Sequence, residues 1–145
     1  MTPVPDRETP LQVVAGILHD DAGAVLLAQR PAGRHMAGMW EFPGGKCERD
    51  EAPETALCRE LEEELAVNVL QCRWLVTVPW RYPEHSIELM VFAVSDWEGT
   101  PQSCEGQALC WLAPAAIEVE TLAPADRPVL AALLATRAGS VAGAS

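Results

Sequence analysis

The stretch PETALCRELEEELA, Pro53 to Ala66, decides how the rest of the chain is read. Good helix formers dominate it, Pro53 suits a first turn, and Leu57, Leu61 and Leu65 return every four residues, so it predicts an amphipathic helix. At about 100° per residue the leucines share one stripe, Glu60, Glu63 and Glu64 gather on a flank, and Glu62 points elsewhere. Like charges at these spacings cost roughly a few tenths of a kcal/mol per pair, and the group lies near the negative end of the helix dipole. A glutamate-rich helix face is most often simply solvated. The same three carboxylates, with no His or Cys beside them, are also a donor set for a hard divalent cation, Mg²⁺ or Mn²⁺ in preference to zinc or copper, and such an ion would relieve both penalties.

Working outward, Leu11–Leu18 and Ala24–Gln29 are apolar runs on either side of His19-Asp20-Asp21-Ala22-Gly23, which predicts an antiparallel hairpin with an Asp/Gly turn. Arg30 to Gly38 reads as a loop. Trp40 and Phe42 then lead into Pro43-Gly44-Gly45, where backbone can approach a ligand closely. Arg73–Val78, Ile87–Val94 and Ala108–Leu112 predict three further strands. Asp126 to Arg137, with Pro128 just inside its start, predicts a closing helix. The expected architecture is α+β, an α/β/α sandwich with one mixed sheet carrying the central helix and the terminal helix. A single domain spans 1–145, with a core of about 11–137 between two tails that read as frayed.

Composition narrows the function classes. The chain has 145 residues, 49% hydrophobic and 21% charged, which suits one globular domain. Its longest apolar run, Val129 to Ala135, is far short of the roughly 20 residues that cross a bilayer. With no apolar signal core near Met1, neither a membrane protein nor an exported one is expected. Ten Lys and Arg against 21 Asp and Glu give a net charge of −11, the wrong sign for tracking duplex DNA. The five cysteines, Cys47, Cys58, Cys72, Cys104 and Cys110, are odd in number and form no C-x-x-C pair, which fits reduced thiols in a cytoplasm.

The spacing around the helix is more specific than its charge. From Gly45, five residues lead to Glu51, seven more to Arg59-Glu60, then Leu61, Glu62 and the pair Glu63-Glu64. This resembles the Nudix box, Gly-x5-Glu-x7-Arg-Glu-apolar-x-Glu-Glu-x-Gly-apolar, with one departure: Ala66 stands where the pattern has glycine, before Val67. A local backbone adjustment is expected there and not a lost site, because every acidic position is filled. Leu27-Ala28-Gln29-Arg30-Pro31, Trp40-Glu41-Phe42-Pro43-Gly44-Gly45-Lys46, Trp97-Glu98-Gly99, Glu105-Gly106-Gln107 and Pro124-Ala125-Asp126 extend the resemblance to the MutT branch of the Nudix hydrolases, over about residues 11–135.

The resemblance implies hydrolysis of a nucleoside triphosphate to its monophosphate and pyrophosphate with Mg²⁺, Mn²⁺ being a substitute. An acidic protein and an anionic substrate are reconciled by the bridging cations. By resemblance, the Gly44 carbonyl, Glu60, Glu63, Glu64 and Glu105 hold metal. Glu60 is the first choice of general base, with Glu63 or Glu64 as alternatives and Glu51 a weaker one. Arg59, set among carboxylates, has the part of orienting Glu51 and its neighbours. Arg30 and Lys46 match basic positions that face the nucleotide. Glu41 and Phe42 fall on the base-binding strand, His85 where the branch's prototype has a base-contacting arginine, and Asp126 where it has an asparagine reading oxidised guanine.

Ionised, Asp126 accepts from guanine N1–H and N2–H₂ or from the cytosine amino group; protonated, it can donate to guanine O6. Asp126 alone does not separate the two bases; the leading substrate expectation from the resemblance is 8-oxo-dGTP, with (d)CTP or 5-methyl-dCTP as the alternative. A non-catalytic nucleotide-binding module is the reading from another class. The other expectations are a monomer or weak homodimer, and no membrane or duplex partner.

Overall fold

The computed structural model describes residues 9–144, with side chains as far as Thr136. In chain order the elements are strands β1 (Leu11–Leu18), β2 (Val25–Gln29), β3 (Trp40–Glu41) and β4 (Gly44–Lys46), helix α1 (Pro53–Leu65), strands β5 (Asn68–Arg81), β6 (Ser86–Glu98) and β7 (Leu109–Leu112), and helix α2 (Arg127–Ala144). Short 3₁₀ turns at Pro114–Ala116, Val119–Thr121 and Pro124–Asp126 link β7 to α2. Residues 1–8 and Ser145, within the expected tails, lie outside the described residues.

A strand with an unbroken apolar run belongs inside a sheet covered on both faces, and β1 has such a run from Val13 to Leu18. Ala15 and Ile17 enter one core and Val14 and Leu18 the other. It lies within a mixed sheet of order β4-β1-β6-β5, parallel to β6 from Leu11 opposite Ile87 to Leu18 opposite Val94, and antiparallel to β4. A second, antiparallel sheet of order β3-β2-β7 completes the β-structure.

The two-sheet arrangement corrects the expected single sheet and its first hairpin. β1 and β2 are joined only by the bridge of His19 with Val25, and each then takes partners in a different sheet. The turn itself is as expected: Asp20 Oδ1 accepts from the Ala22 and Ala24 amides at 2.9 and 2.8 Å, and Gly23 has φ 86°. Nothing in a tight turn compels the strands beyond it to stay paired, and distant partners with more apolar surface displace the local one.

α1 lies on one face, with Ala56, Leu57, Leu61 and Leu65 fully buried. Each leucine contributes about 1.5–3 kcal/mol of burial. The helix comes so close to the sheet that a Cβ at Gly16 would stand 3.0 Å from Leu61 Cδ1. α2 covers the other core through Val129, Leu130 and Leu133, which gives the α/β/α sandwich. It starts one residue later than expected, because Pro124–Asp126 forms a 3₁₀ turn, and it continues past Arg137 to Ala144. β5 is longer than the expected Arg73–Val78 because bulges between Val69 and Gln71, Gln71 and Cys72, and Trp74 and Val76 break its alternation.

The box departure has a clear structural consequence. Ala66 closes α1 with φ 58° and ψ 34°, the left-handed conformation, while its N–H bonds Glu62 O and the Val67 N–H reaches Leu61 O at 3.5 Å. The site keeps the cap that glycine would make, at the cost of a strained Cβ. Ala66→Gly is therefore expected to stabilise the protein by about 1 kcal/mol, raising Tm by roughly 3 °C. A lower Tm in a thermal melt would contradict this cap.

Candidate active site

The flank of α1 faces β4, and two glycines make the approach possible. β4 is pinned to β1 by Val14 opposite Gly45 and Ala15 opposite Gly44. A Cβ on Gly45 would lie 2.1 Å from Glu60 Oε2, and the Gly44 amide donates to Glu64 Oε2 at 3.2 Å. Any side chain at Gly45 would occupy the space of the Glu60 carboxylate.

Arg59 organises the outer side of this wall. Its Nε and Nη2 each bond Glu51 at 2.8 Å, a two-pronged pair. Nη1 reaches Glu60 at 3.0 Å and Glu63 at 3.4 Å, and Nη2 also donates to the Lys46 carbonyl at 3.1 Å. Hydrogen bonds from Arg59, then from the Glu48 amide, pull the Glu51 carboxyl down to about 2. With both oxygens taken by Arg59, Glu51 suits the anchoring part.

Glu60 and Glu64 are pushed the other way. Burial raises the Glu60 pKa against the opposing pull of Arg59. Glu64 is raised to about 9, first by burial and then by Glu60, Glu105 and Glu41. Glu105 reaches this wall from the loop between β6 and β7. Among the described residues, no three His, Cys, Asp or Glu side chains converge on one point as an ion requires. Arg59 holds Glu60 and Glu63, and the Gly44 amide holds Glu64. The donors still suit a hard divalent cation: they are all oxygen, they share one wall, and burial and the neighbouring carboxylates that raise Glu64 are both offset by a nearby positive charge.

The far end of the cleft is built around Asp126. Its Oδ1 accepts from the Phe42 amide at 3.0 Å, and the side chain is almost wholly buried. The Ala123 amide bonds the Trp40 carbonyl at 2.8 Å and so anchors the 3₁₀ turn to β3. Burial, then the nearby Glu41, pushes the Asp126 carboxyl up to about 8. Glu41 is itself raised by burial against Arg30, which it pairs with at 2.9 Å. Arg30 also donates to the His35 carbonyl at 3.0 Å. The Tyr82 ring stands between those of His35, at 5.8 Å, and His85, at 5.7 Å, and its hydroxyl accepts from the Ala125 amide at 3.3 Å.

A cleft of about 680 Å³ joins the two ends. Arg30, Glu41, Phe42, Gly44, Lys46, Glu60, Glu63, Glu64, His85, Glu105 and Asp126 all line it, whereas Glu51 and Arg59 stand behind the wall. Arg34, His35 and Tyr82 line it too and were not among the candidates. Their only sequence signal is membership of loops that other candidates already flank. Gln107, buried beneath the Glu105 loop, is likewise outside the candidate set.

A model of the NUDIX domain matches residues 9–133, a span that holds both ends of the cleft. The chain belongs to the Nudix hydrolase family. It is 44% identical over 128 residues to the CTP pyrophosphohydrolase of Escherichia coli, covering 88% of this chain and 94% of that one. It is 35% identical over 123 residues to the 8-oxo-dGTP diphosphatase of the same organism, covering 85% and 95%. Among solved structures, the E. coli ORF135 protein superposes with a TM-score of 0.81 at 41% identity, over 95% of this chain and 97% of that one. A MutT Nudix hydrolase from Burkholderia pseudomallei gives 0.77 at 29%, over 84% and 96%. Among the described residues no helix is long and apolar enough to cross a membrane.

Proposed function

We propose that this Nudix hydrolase is a Mg²⁺-dependent nucleoside triphosphate pyrophosphohydrolase that prefers 8-oxo-dGTP, releasing 8-oxo-dGMP and pyrophosphate. The observation that carries this reading is a single cleft with a carboxylate wall at one end and a buried carboxyl held by a strand amide at the other. Those ends suit a metal-bridged polyphosphate and a base edge. Relatives named for 8-oxo-dGTP support the choice. So does the Asp126 pKa of about 8, since a neutral carboxyl can donate to guanine O6. The free cysteines suit a reducing cytoplasm, where such an enzyme would clear damaged nucleotides before replication.

Divalent cations bound by the Gly44 carbonyl, Glu60, Glu63, Glu64 and Glu105 would neutralise the phosphates and acidify a water. Glu60 would take the proton of the water that attacks phosphorus in line, the water oxygen forming the new P–O bond as one anhydride P–O bond breaks, to give the monophosphate and pyrophosphate. Arg59 aims Glu60 through its Nη1 hydrogen bond and fixes the whole wall against Glu51. Lys46 meets the phosphates at the open side of the cleft, and Arg30, braced by Glu41, does so from the base side. Phe42 and Asp126 read the base, with His85 closing the pocket.

A second substrate reading has its own support. The E. coli CTP pyrophosphohydrolase shares 44% identity, and an ionised Asp126 would accept from a cytosine amino group. Pyrophosphate release from 8-oxo-dGTP, dGTP, dCTP, 5-methyl-dCTP and dATP, compared as kcat/KM, separates the two. The highest value is expected for 8-oxo-dGTP; a cytidine nucleotide ranking first would overturn the substrate and keep the metal wall.

Asp126→Asn is expected to reorder that panel while keeping the acceptor for the Phe42 amide. An unchanged order would remove Asp126 from base reading. The stability of the wild type also carries a pH signature. Because the folded Asp126 pKa is raised, its contribution is complete below the unfolded value and is lost as pH rises towards about 8. Asn does not titrate, so the Tm of Asp126→Asn relative to wild type should increase between pH 5 and pH 8.

A further inference from the structure

The last carbonyls of a helix have no donors within it, and in α1 they are taken up by the loop that carries Glu105. The Gln102 amide donates to Leu65 O at 2.9 Å and the Cys104 amide to Glu64 O at 3.1 Å. One side chain adds a tie of a different kind. Gln107 is 8% exposed, and its Nε2 donates to Glu64 O at 3.2 Å. Its Oε1 accepts from the Glu105 amide at 3.0 Å and from Ser103 Oγ at 3.1 Å. A single amide thus spans from the backbone of Glu64 to the backbone of Glu105.

That link acts against a force. Glu105 is exposed, is followed by Gly106 at φ 76°, and lies near enough to Glu60 and Glu64 for their like charges to repel it. The two ends of the link need a donor and an acceptor together, which an amide has and an ionised carboxylate or an apolar side chain lacks. We propose that Gln107 is a positioning residue of the carboxylate wall: it holds Glu105 beside Glu64 so that a divalent cation meets both. This rests on the reading of Glu105 as a metal ligand, and Gln107 itself touches neither the ion nor the substrate.

Mn²⁺ titration of the nucleotide-free protein, followed by the EPR signal of free Mn²⁺, tests it as a double-mutant cycle. Gln107→Leu is expected to weaken Mn²⁺ binding about 10-fold, the usual scale for groups that orient ligands. In a Glu105→Gln background the same substitution should cost nothing further. An equal loss in both backgrounds would make Gln107 a structural residue only and overturn the proposal. No effect of Glu105→Gln alone would instead overturn the ligand reading beneath it, a different result of the same cycle. Thermal melts confirm folding of each variant. Should Gln107→Leu fail to fold, Gln107→Asn, which keeps an amide but shortens its reach by one methylene, is read in the same cycle with the same outcomes.

Discussion

Glu60→Gln should lower kcat by about 10²–10⁴-fold, the range attributed to a general base, while the protein stays folded. The amide oxygen of glutamine still accepts from Arg59 Nη1, the leucine stripe is untouched, and the space over Gly45 is still filled by a side chain of the same shape. Tm should therefore remain close to wild type. Steady-state pyrophosphate release with saturating Mg²⁺ measures the effect, and a variant turning over at the wild-type rate would take Glu60 out of the mechanism. Glu51→Gln is the informative contrast. Both Glu51 oxygens are bound by Arg59, so its loss disturbs the placement of the wall and lowers stability along with activity.

The second large effect comes from two adjacent glycines that are required for different reasons. In Gly44→Ala the new Cβ would stand 1.9 Å from Val14 O and 2.7 Å from Ala15 Cα, both backbone atoms of β1. They cannot retreat without undoing the β1–β4 pairing, so a loss of about 3 kcal/mol is expected, seen as a fall in Tm of roughly 10 °C. In Gly45→Ala the obstacle at 2.1 Å is the end of the Glu60 side chain, which can swing away. That variant should melt near the wild type and still lose most of its turnover. Equal melting temperatures for the two variants would refute the distinction.

Much of the metal end of the cleft was legible in the sequence because it is local. A helix places residues three and four apart on one face whatever surrounds it, so the leucine stripe, the carboxylate flank and the distance back to Gly45 follow from spacing alone. The end of α1 differs from the expectation: in place of an adjusted backbone, Ala66 keeps the left-handed cap of a glycine, because the helix needs a reversal there and the chain accepts the Cβ strain. The end of the cleft around Asp126 was less accessible. Asp126 and Phe42 are 84 residues apart, and the bond between them exists only because α2 and its preceding turn pack against the opposite core. The resemblance to a known family named both residues; periodicity named neither.

What the amino-acid sequence determined by itself was the identity of the local elements: β1, β2, α1, the centres of β5 and β6, β7, and which faces of them are apolar. Periodicity encodes this because burial acts on each segment through its own side chains. Tertiary structure alone decided the partners. It separated β1 from β2 into two sheets, made short strands of Trp40–Glu41 and Gly44–Lys46, bulged β5, and joined Gln107 to Glu64 across 43 residues. Backbone hydrogen bonds are chemically alike at every residue, so the choice among partners falls to packing of the whole chain, which no single window of sequence contains.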